Sequence, residues 1–159
     1  AGDGFAREQI LYAQTLAGIA FSNARAGLTH AFARQLAALF AVCRAHSGAL
    51  CAILLPHVIR FNAADTQACA RYARLARALG LRGRADGQAA QALAEEIETL
   101  RVAAKPPGTL QELGVGEAEL ERCRRTAAAR VAADLCAAAN PRTVPEAAAE
   151  AMLLAAFKG

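Results

Sequence analysis

The sequence predicts an all-α fold, a single helical-bundle domain over residues 1–159, and three observations predict it. More than a quarter of the positions are Ala, and hydrophobic residues reach 55% while aromatic ones stay at 5%. Ala and Leu lose little entropy in a helix, whereas a β domain needs far more Val, Ile, Thr and aromatic residues. Apolar residues recur at helical rather than alternating spacing, and Gly and Pro clusters divide the chain into about seven helices. With 20% charged residues the composition excludes wholesale disorder, and the length is enough to bury one core.

Ala6 to Asn23, AREQILYAQTLAGIAFSN, carries Ile10, Leu11, Leu16, Ile19, Ala20 and Phe21 and is nearly apolar all round in its second half. A helix of that kind is expected at the centre of a bundle. Gly27 permits a break, and Leu28 to about Cys43 reads as a second helix. Arg44 to Gly48 is a turn, after which Ser47 or Gly48 opens the very apolar ALCAILLPHVIRFN, with Pro56 expected to kink it. Thr66 to Leu79 is a fourth helix with Arg71, Arg74 and Arg77 along an exposed edge, and Gly80 to Gly83 is a loop. Asp86 is positioned to cap a helix that runs to about Ala103. Lys105-Pro106-Pro107-Gly108 is the clearest punctuation, and Thr109 caps the short turn that follows. Gly116-Glu117 introduces a long helix to about Ala139, which Asn140-Pro141-Arg142 ends. Thr143 is the expected cap of a final helix, with Pro145 near its first turn and Ala147–Phe157 as its body.

Charge is unevenly spread. Residues 1–84 hold ten Arg against Asp3, Glu8 and Asp65, a balance of +7, and residues 85–159 hold eight Arg or Lys against eleven acids, a balance of −3, which together give the net +4. The Arg residues are scattered or at helical spacing, the pattern of solvated helix faces, so no nucleic-acid partner is expected. Five cysteines, with no CxxC pair, read as free thiols in a reducing cytoplasm. Nothing resembles a signal peptide, and Ala49 to Leu55 is far too short to cross a bilayer, so a cytoplasmic protein with no membrane partner is expected.

Candidate chemistry is sparse. His30, His46 and His57 all lie in one 28-residue stretch, the first on a helix, the second in the turn after it and the third beside Pro56. Two imidazoles from a helix and its following turn can converge on a divalent metal, and a packed, hydrogen-bonded histidine is the competing reading. Ser47-Gly48 beside His46 lacks a nearby carboxylate or a G-x-S-x-G elbow, which argues against a hydrolase. Cys43 or Cys51 with His46 competes with inert packing, and Glu95, Glu96 and Glu98 read as an exposed helix face.

GLTHAFARQLAALF, followed after a turn by HSGALCAILLPHVIRFNA, resembles the C-terminal domain of iron-containing (group III) alcohol dehydrogenases. The family pattern is a GL-x-H-A-x-A-H-x-L-G-G stretch, then a P-H-G turn leading into N-A-I-L-L-P-H-V. AREQILYAQTLAGIAFSNA, KPPGTLQELGV and NPRTVPEAAAEAMLLAAF resemble further blocks of the same domain, in order. The resemblance implies an enzyme whose N-terminal dinucleotide-binding domain and C-terminal helical domain enclose a divalent iron, sometimes zinc. The metal polarises a small alcohol or aldehyde during NAD(P)-linked hydride transfer.

The family's ligands are one Asp and three His, and only the last two His belong to a stretch like this one. His30 matches the first of these two. Counted back from LLPHV, the second falls on Ser47, and His46 reaches it only by a one-residue shift. Arg34 stands where the family often has another His, and Ala37-Ala38 replace its Gly-Gly. The metal assignment is therefore His30 with His46, His57 is read as structural, and no cofactor-binding residue is assigned. GRADG at 83–87 lacks the spacing of a phosphate loop. The nucleotide-binding domain and two ligands are expected to be missing from this chain. Two roles follow: the metal-side half of an oxidoreductase, inactive alone and partnered by the missing domain, or a degenerate stand-alone module that self-associates.

Overall fold

The computed structural model describes residues 3–159 and arranges them as helices α1 (Gly4–Ala24), α2 (Leu28–Leu39), α3 (Ser47–Asn62), α4 (Thr66–Ala78), α5 (Asp86–Ala104), α6 (Glu117–Ala132) and α7 (Glu146–Lys158), with no strand among the described residues. The all-α expectation is met. Helices α2, α3, α7 and α6 close a ring in which each packs on the next. Its core is filled by Phe32, Leu36, Phe40, Leu50, Leu54, Leu110, Val131, Leu153 and Phe157. Phe32 and Leu36 on α2, Leu50 and Leu54 on α3, and Leu153 and Phe157 on α7 are each four apart, which puts each pair on one face of its helix.

The α4–α5 hairpin lies against α3 and builds a second, smaller core from Ile59, Ala73, Ala76, Ala89, Leu93 and Ala94. Its alanines let the two helices approach closely. A Cβ at Gly83 would sit 2.5 Å from the Ala89 amide nitrogen, so the loop before α5 passes this close only because residue 83 is glycine. Asp65 caps α4 by accepting from the Ala68 amide at 2.8 Å.

The connections are tied down by side-chain amides and by arginine. Asn62, at the end of α3, and Asn140, in the segment before α7, exchange carboxamide hydrogen bonds of 2.9 and 2.7 Å. Arg142 donates to the Phe61 carbonyl and lies 4.1 Å over the Phe61 ring. The NPR block is thus the clamp that fastens the α6–α7 connection to α3. Leu110 donates to the Ala156 carbonyl at 2.9 Å and joins the Thr109-capped turn to α7.

Several expectations need correction. Helix α1 is not central: none of its residues is buried, and it makes no extended contact with another helix. Its apolar pattern demands a covering surface without saying which, and the turn at Arg25 (φ 65) and Gly27 (φ 74) sends it away from the bundle. Helix α2 stops at Leu39, where Phe40 turns extended (φ −113, ψ 115) to bury its ring completely, and a 3-10 turn covers 41–43. Helix α6 stops at Ala132 rather than near Ala139, because the Asp134 carboxylate takes the Cys136 amide at 2.8 Å and turns the chain locally. Asp86 does not cap α5: Gln88 accepts from the Arg84 and Ala85 amides, while Asp86 pairs with Arg77 at 2.7 Å. At α7 the cap position is Pro145 rather than Thr143.

The contrast between core and α1 sets an energetic expectation. Phe40→Ala should lower unfolding free energy by about 3–5 kcal/mol, by lost transfer energy and a residual cavity. Leu11→Ala, on the exposed α1, should stay within about 0.5 kcal/mol. Urea denaturation of the two variants checks both.

Candidate functional site

The antiparallel packing of α2 on α3 places the first turns of α2 beside the middle of α3, and the end of α2 beside the start of α3. Between them lies a cavity of about 440 Å³ lined by His30, Ala33, Arg34, Ala37, Ser47, Gly48 and Cys51. His30 sits on the exposed side of the first turn of α2, and the Phe21 ring of α1 tilts over it with centroids 6.2 Å apart. Ala33 and Ala37 form the small-residue wall that leaves the space open.

His30 and Ser47 line this cavity together, whereas His46 does not. His46 takes the cap position of α3 with an exposed side chain (φ −124, ψ 35), one residue before the start of the helix. The position counted back from LLPHV is thus the one that faces His30. His57 lies elsewhere, beside Ile53, Pro56, Glu98 and Arg101, where burial and then the nearby Arg60 and Arg101 push its pKa down.

Arg34 is fixed by a partner that the sequence did not single out. Its guanidinium stands 3.6 Å from an Asp134 oxygen and donates to the Cys136 sulfur at 3.6 Å. The Asp134 side chain is only 2% exposed, against 60% for Arg34. Gln35 donates to the same carboxylate at 2.7 Å. Burial works to raise the Asp134 pKa, but the Cys136 amide, the Gln35 carboxamide and the Arg34 charge outweigh it, and the group stays below the usual aspartate range. The available signal was an aspartate set in the apolar run AADLCAAAN, where a charge needs partners.

The cavity offers little to a metal cation. Its lining holds one imidazole together with the Arg34 side chain, and the N-terminal end of α3 adds a further partial positive charge. Burial raises the Cys51 thiol pKa, and burial followed by Glu119 pushes Cys43 up to about 11, so neither supplies a thiolate at neutral pH. Among the described residues no group of three or more His, Cys, Asp or Glu is placed to hold a metal ion. A larger groove of about 500 Å³, lined by Asp65, Gln67, Ala68, Arg71 and Tyr72, has key polar groups already engaged: Asp65 caps α4, and the Tyr72 hydroxyl accepts from Asn62.

Residues 1–157 match the family described as "Fe-containing alcohol dehydrogenase family, C-terminal". The chain belongs to the Fe-containing alcohol dehydrogenase family. It is 37% identical over 141 residues to an NADPH-dependent butanol dehydrogenase of Clostridium saccharobutylicum, covering 89% of this chain and 35% of that protein. It is 39% identical over 132 residues to a 1-propanol dehydrogenase of Salmonella typhimurium, covering 82% of this chain and 35% of the relative. A crystal structure of 1,3-propanediol oxidoreductase superposes with a TM-score of 0.85 at 34% identity, over 96% of this chain and 38% of that one.

The chain therefore spans little more than a third of the length of these Fe-containing alcohol dehydrogenases and has the fold of their C-terminal domain. No helix among the described residues is long and apolar enough to cross a membrane. The divalent iron implied by the family does not fit the residues lining this cavity: a cation would meet one imidazole, a hydroxyl and an arginine, where the resemblance implies two imidazoles from this stretch.

Two pH effects follow. Asp134 has a depressed folded pKa, so its stabilisation is complete above the unfolded aspartate pKa and is lost as pH falls through the folded value. Asp134→Asn should lower stability at pH 7 by about 2 kcal/mol and flatten the acid limb below about pH 4, read by thermal unfolding across pH. His57 is also depressed, so its contribution is complete above the ordinary value of 6.5 and declines as pH falls below it. In His57→Gln the stability slope just below that pH should shrink, which the same series of melts detects.

Proposed function

We propose that this chain is the metal-side half of an iron-type, NAD(P)-linked alcohol dehydrogenase whose own metal centre is too depleted to act by itself. The observation that carries this reading is the cavity at α2 and α3. It keeps His30 and the surrounding helix geometry, yet sets Ser47 where the second imidazole would be needed and adds the cation of Arg34 to the same lining. His30 is the ligand we assign, with His46 as the second only if the turn before α3 shifts by one residue. NAD(P), the remaining ligands and the small alcohol or aldehyde substrate would be supplied with the nucleotide-binding remainder of a longer protein. Free thiols fit a reducing, cytoplasmic setting.

A second reading, a non-catalytic binding or assembly module, is favoured by one feature. Helix α1 leaves Phe5 and Leu16 more than two-thirds exposed, at 69% and 68%, together with five further large apolar side chains. Such a surface is an interaction site by default.

Metal content tests the first reading. The isolated chain should carry well under one equivalent of iron or zinc after purification, because two imidazoles at most leave the coordination shell to water. Arg34→His combined with Ser47→His should raise zinc affinity by at least about tenfold, read by titration, because it adds two imidazoles beside His30. The native chain should show no NAD(P)H-dependent aldehyde reduction. Tight one-to-one metal binding or measurable turnover by the native chain would reject the depleted-site reading.

A further inference from the structure

We infer that the chamber at the start of α2, between α3 and Tyr72 of α4, is a binding site for a short aliphatic monocarboxylate, whose oxygens are held by the first turn of α2, Thr29 and Tyr72. The chamber measures about 220 Å³, the space of about seven waters in the liquid, and shares no lining residue with the His30 cavity. Helix α2 has Gly27 at its cap position and no side chain that caps it. Among the described residues the Leu28 and Thr29 amides have no acceptor, and both residues line the chamber. A helix start left in that state attracts negative charge. Thr29 adds an independent donor: it is 8% exposed, it lines the same space, and its hydroxyl meets no protein acceptor among the described residues.

Tyr72 supplies a further donor. Its oxygen accepts from the Asn62 carboxamide at 3.2 Å, so the phenol hydrogen is turned away from Asn62, and it is donated to no protein group among the described residues. Asn62 does not compete for a ligand, because its carboxamide is already shared between Tyr72 and Asn140. The unmet groups are thus all donors, and an oxygen acceptor is what they fit. No charged side chain lines the chamber. A dianion such as phosphate would be left there without a counter-charge, whereas a single carboxylate is matched by hydrogen bonds and the helix dipole. Leu55 and Val58 of α3 form an apolar wall, which suits a short hydrocarbon tail. Tyr72, Ala139 and Pro141 also line the groove of about 500 Å³ outside, which gives the ligand a way in. Neither metal nor nucleotide takes part, so the site stands or falls apart from the metal reading.

Nuclear magnetic resonance titration of the 159-residue chain with sodium butyrate tests it. Butyrate should bind with a Kd of about 1 mM and move the Leu28 and Thr29 amide signals. Thr29→Val and Tyr72→Phe should each weaken binding at least about tenfold, by removing a hydrogen bond to a charged group. Tyr72→Phe also strips the Asn62 donor of its acceptor, and Thr29→Val keeps the test clear of that loss; a cooperative melt by circular dichroism checks that both fold. Gln67→Ala, which touches the outer groove alone, should change binding by less than about twofold. Butyramide, of similar shape without the charge, should bind at least about tenfold more weakly. A native chain that does not bind butyrate at about 20 mM overturns the inference. Binding that survives Thr29→Val at full strength overturns it too, as does butyramide or inorganic phosphate binding as tightly as butyrate. A titration that moves the Ser47, Gly48 and Cys51 amides and spares Leu28 and Thr29 puts the anion in the His30 cavity and likewise rejects the site.

Discussion

The buried carboxylate of Asp134 is the constraint on which both the bundle and the cavity depend. A charge that is 2% exposed survives only if its lone pairs are taken up and its charge is balanced; here the Cys136 amide and the Gln35 carboxamide donate to it, and the Arg34 guanidinium stands 3.6 Å away as counter-charge. Each partner has a structural consequence. The Cys136 amide ends α6 and starts the turn that leads to Asn140. Gln35 locks α2 to that turn, and thereby sets the rotation of α2 about its axis. Arg34 is drawn toward the same carboxylate while its side chain still lines the cavity that His30 shares. Fold and site meet at one ion.

The wall of the cavity is fixed from the other side by the clamp at Asn62 and Asn140. That amide pair anchors the end of α3 to the segment leaving α6, and Arg142 fastens the same segment over Phe61. With α2 held by Asp134 and α3 held by Asn140, the two walls keep their spacing although the side chains between them are small. The cavity is therefore a property of the scaffold. Its lining is a separate matter, since the position facing His30 can be Ser as readily as His without disturbing the clamp.

Much of this was legible in the sequence, for reasons that differ by element. Helix existence followed from Ala-rich, 3.6-spaced stretches, whereas the pairing of His46 with His30 needed a one-residue shift of the turn, and the cavity is lined by Ser47 instead. Helix ends were less legible where polar side chains reach into the backbone. The stops at Leu39 and Ala132 are decided by a buried Phe40 ring and by Asp134, neither of which perturbs local periodicity. The position of α1 was misread because periodicity reports that a helix seeks burial, while the turn at Arg25 and Gly27 decides whether its own bundle can supply it. Arg34 was recognised as an intruder beside a metal position, but its counter-ion lies 100 residues along the chain, and no local pattern links the two.

The distribution of change across the molecule also has a physical basis. Residues that hold the bundle together, such as Phe32, Phe40, Leu54 and Leu153, are fully buried, and altering any of them opens a cavity or strains the packing. His30, Arg34, His46 and Ser47 are exposed or lie at a rim, where a substitution costs the fold little. A metal centre assembled from such residues, with half its ligands outside the bundle, is held in place by function and not by stability. The depleted-site proposal is consistent with that separation: a hydroxyl or a guanidinium at such a position leaves the helices where they are. The retention of a 0.85 TM-score alongside a ligand-poor cavity is what that separation predicts. The same reasoning applies to α1. None of its residues is buried in this bundle, so only a further covering surface gives its exposed apolar side chains a stabilising role.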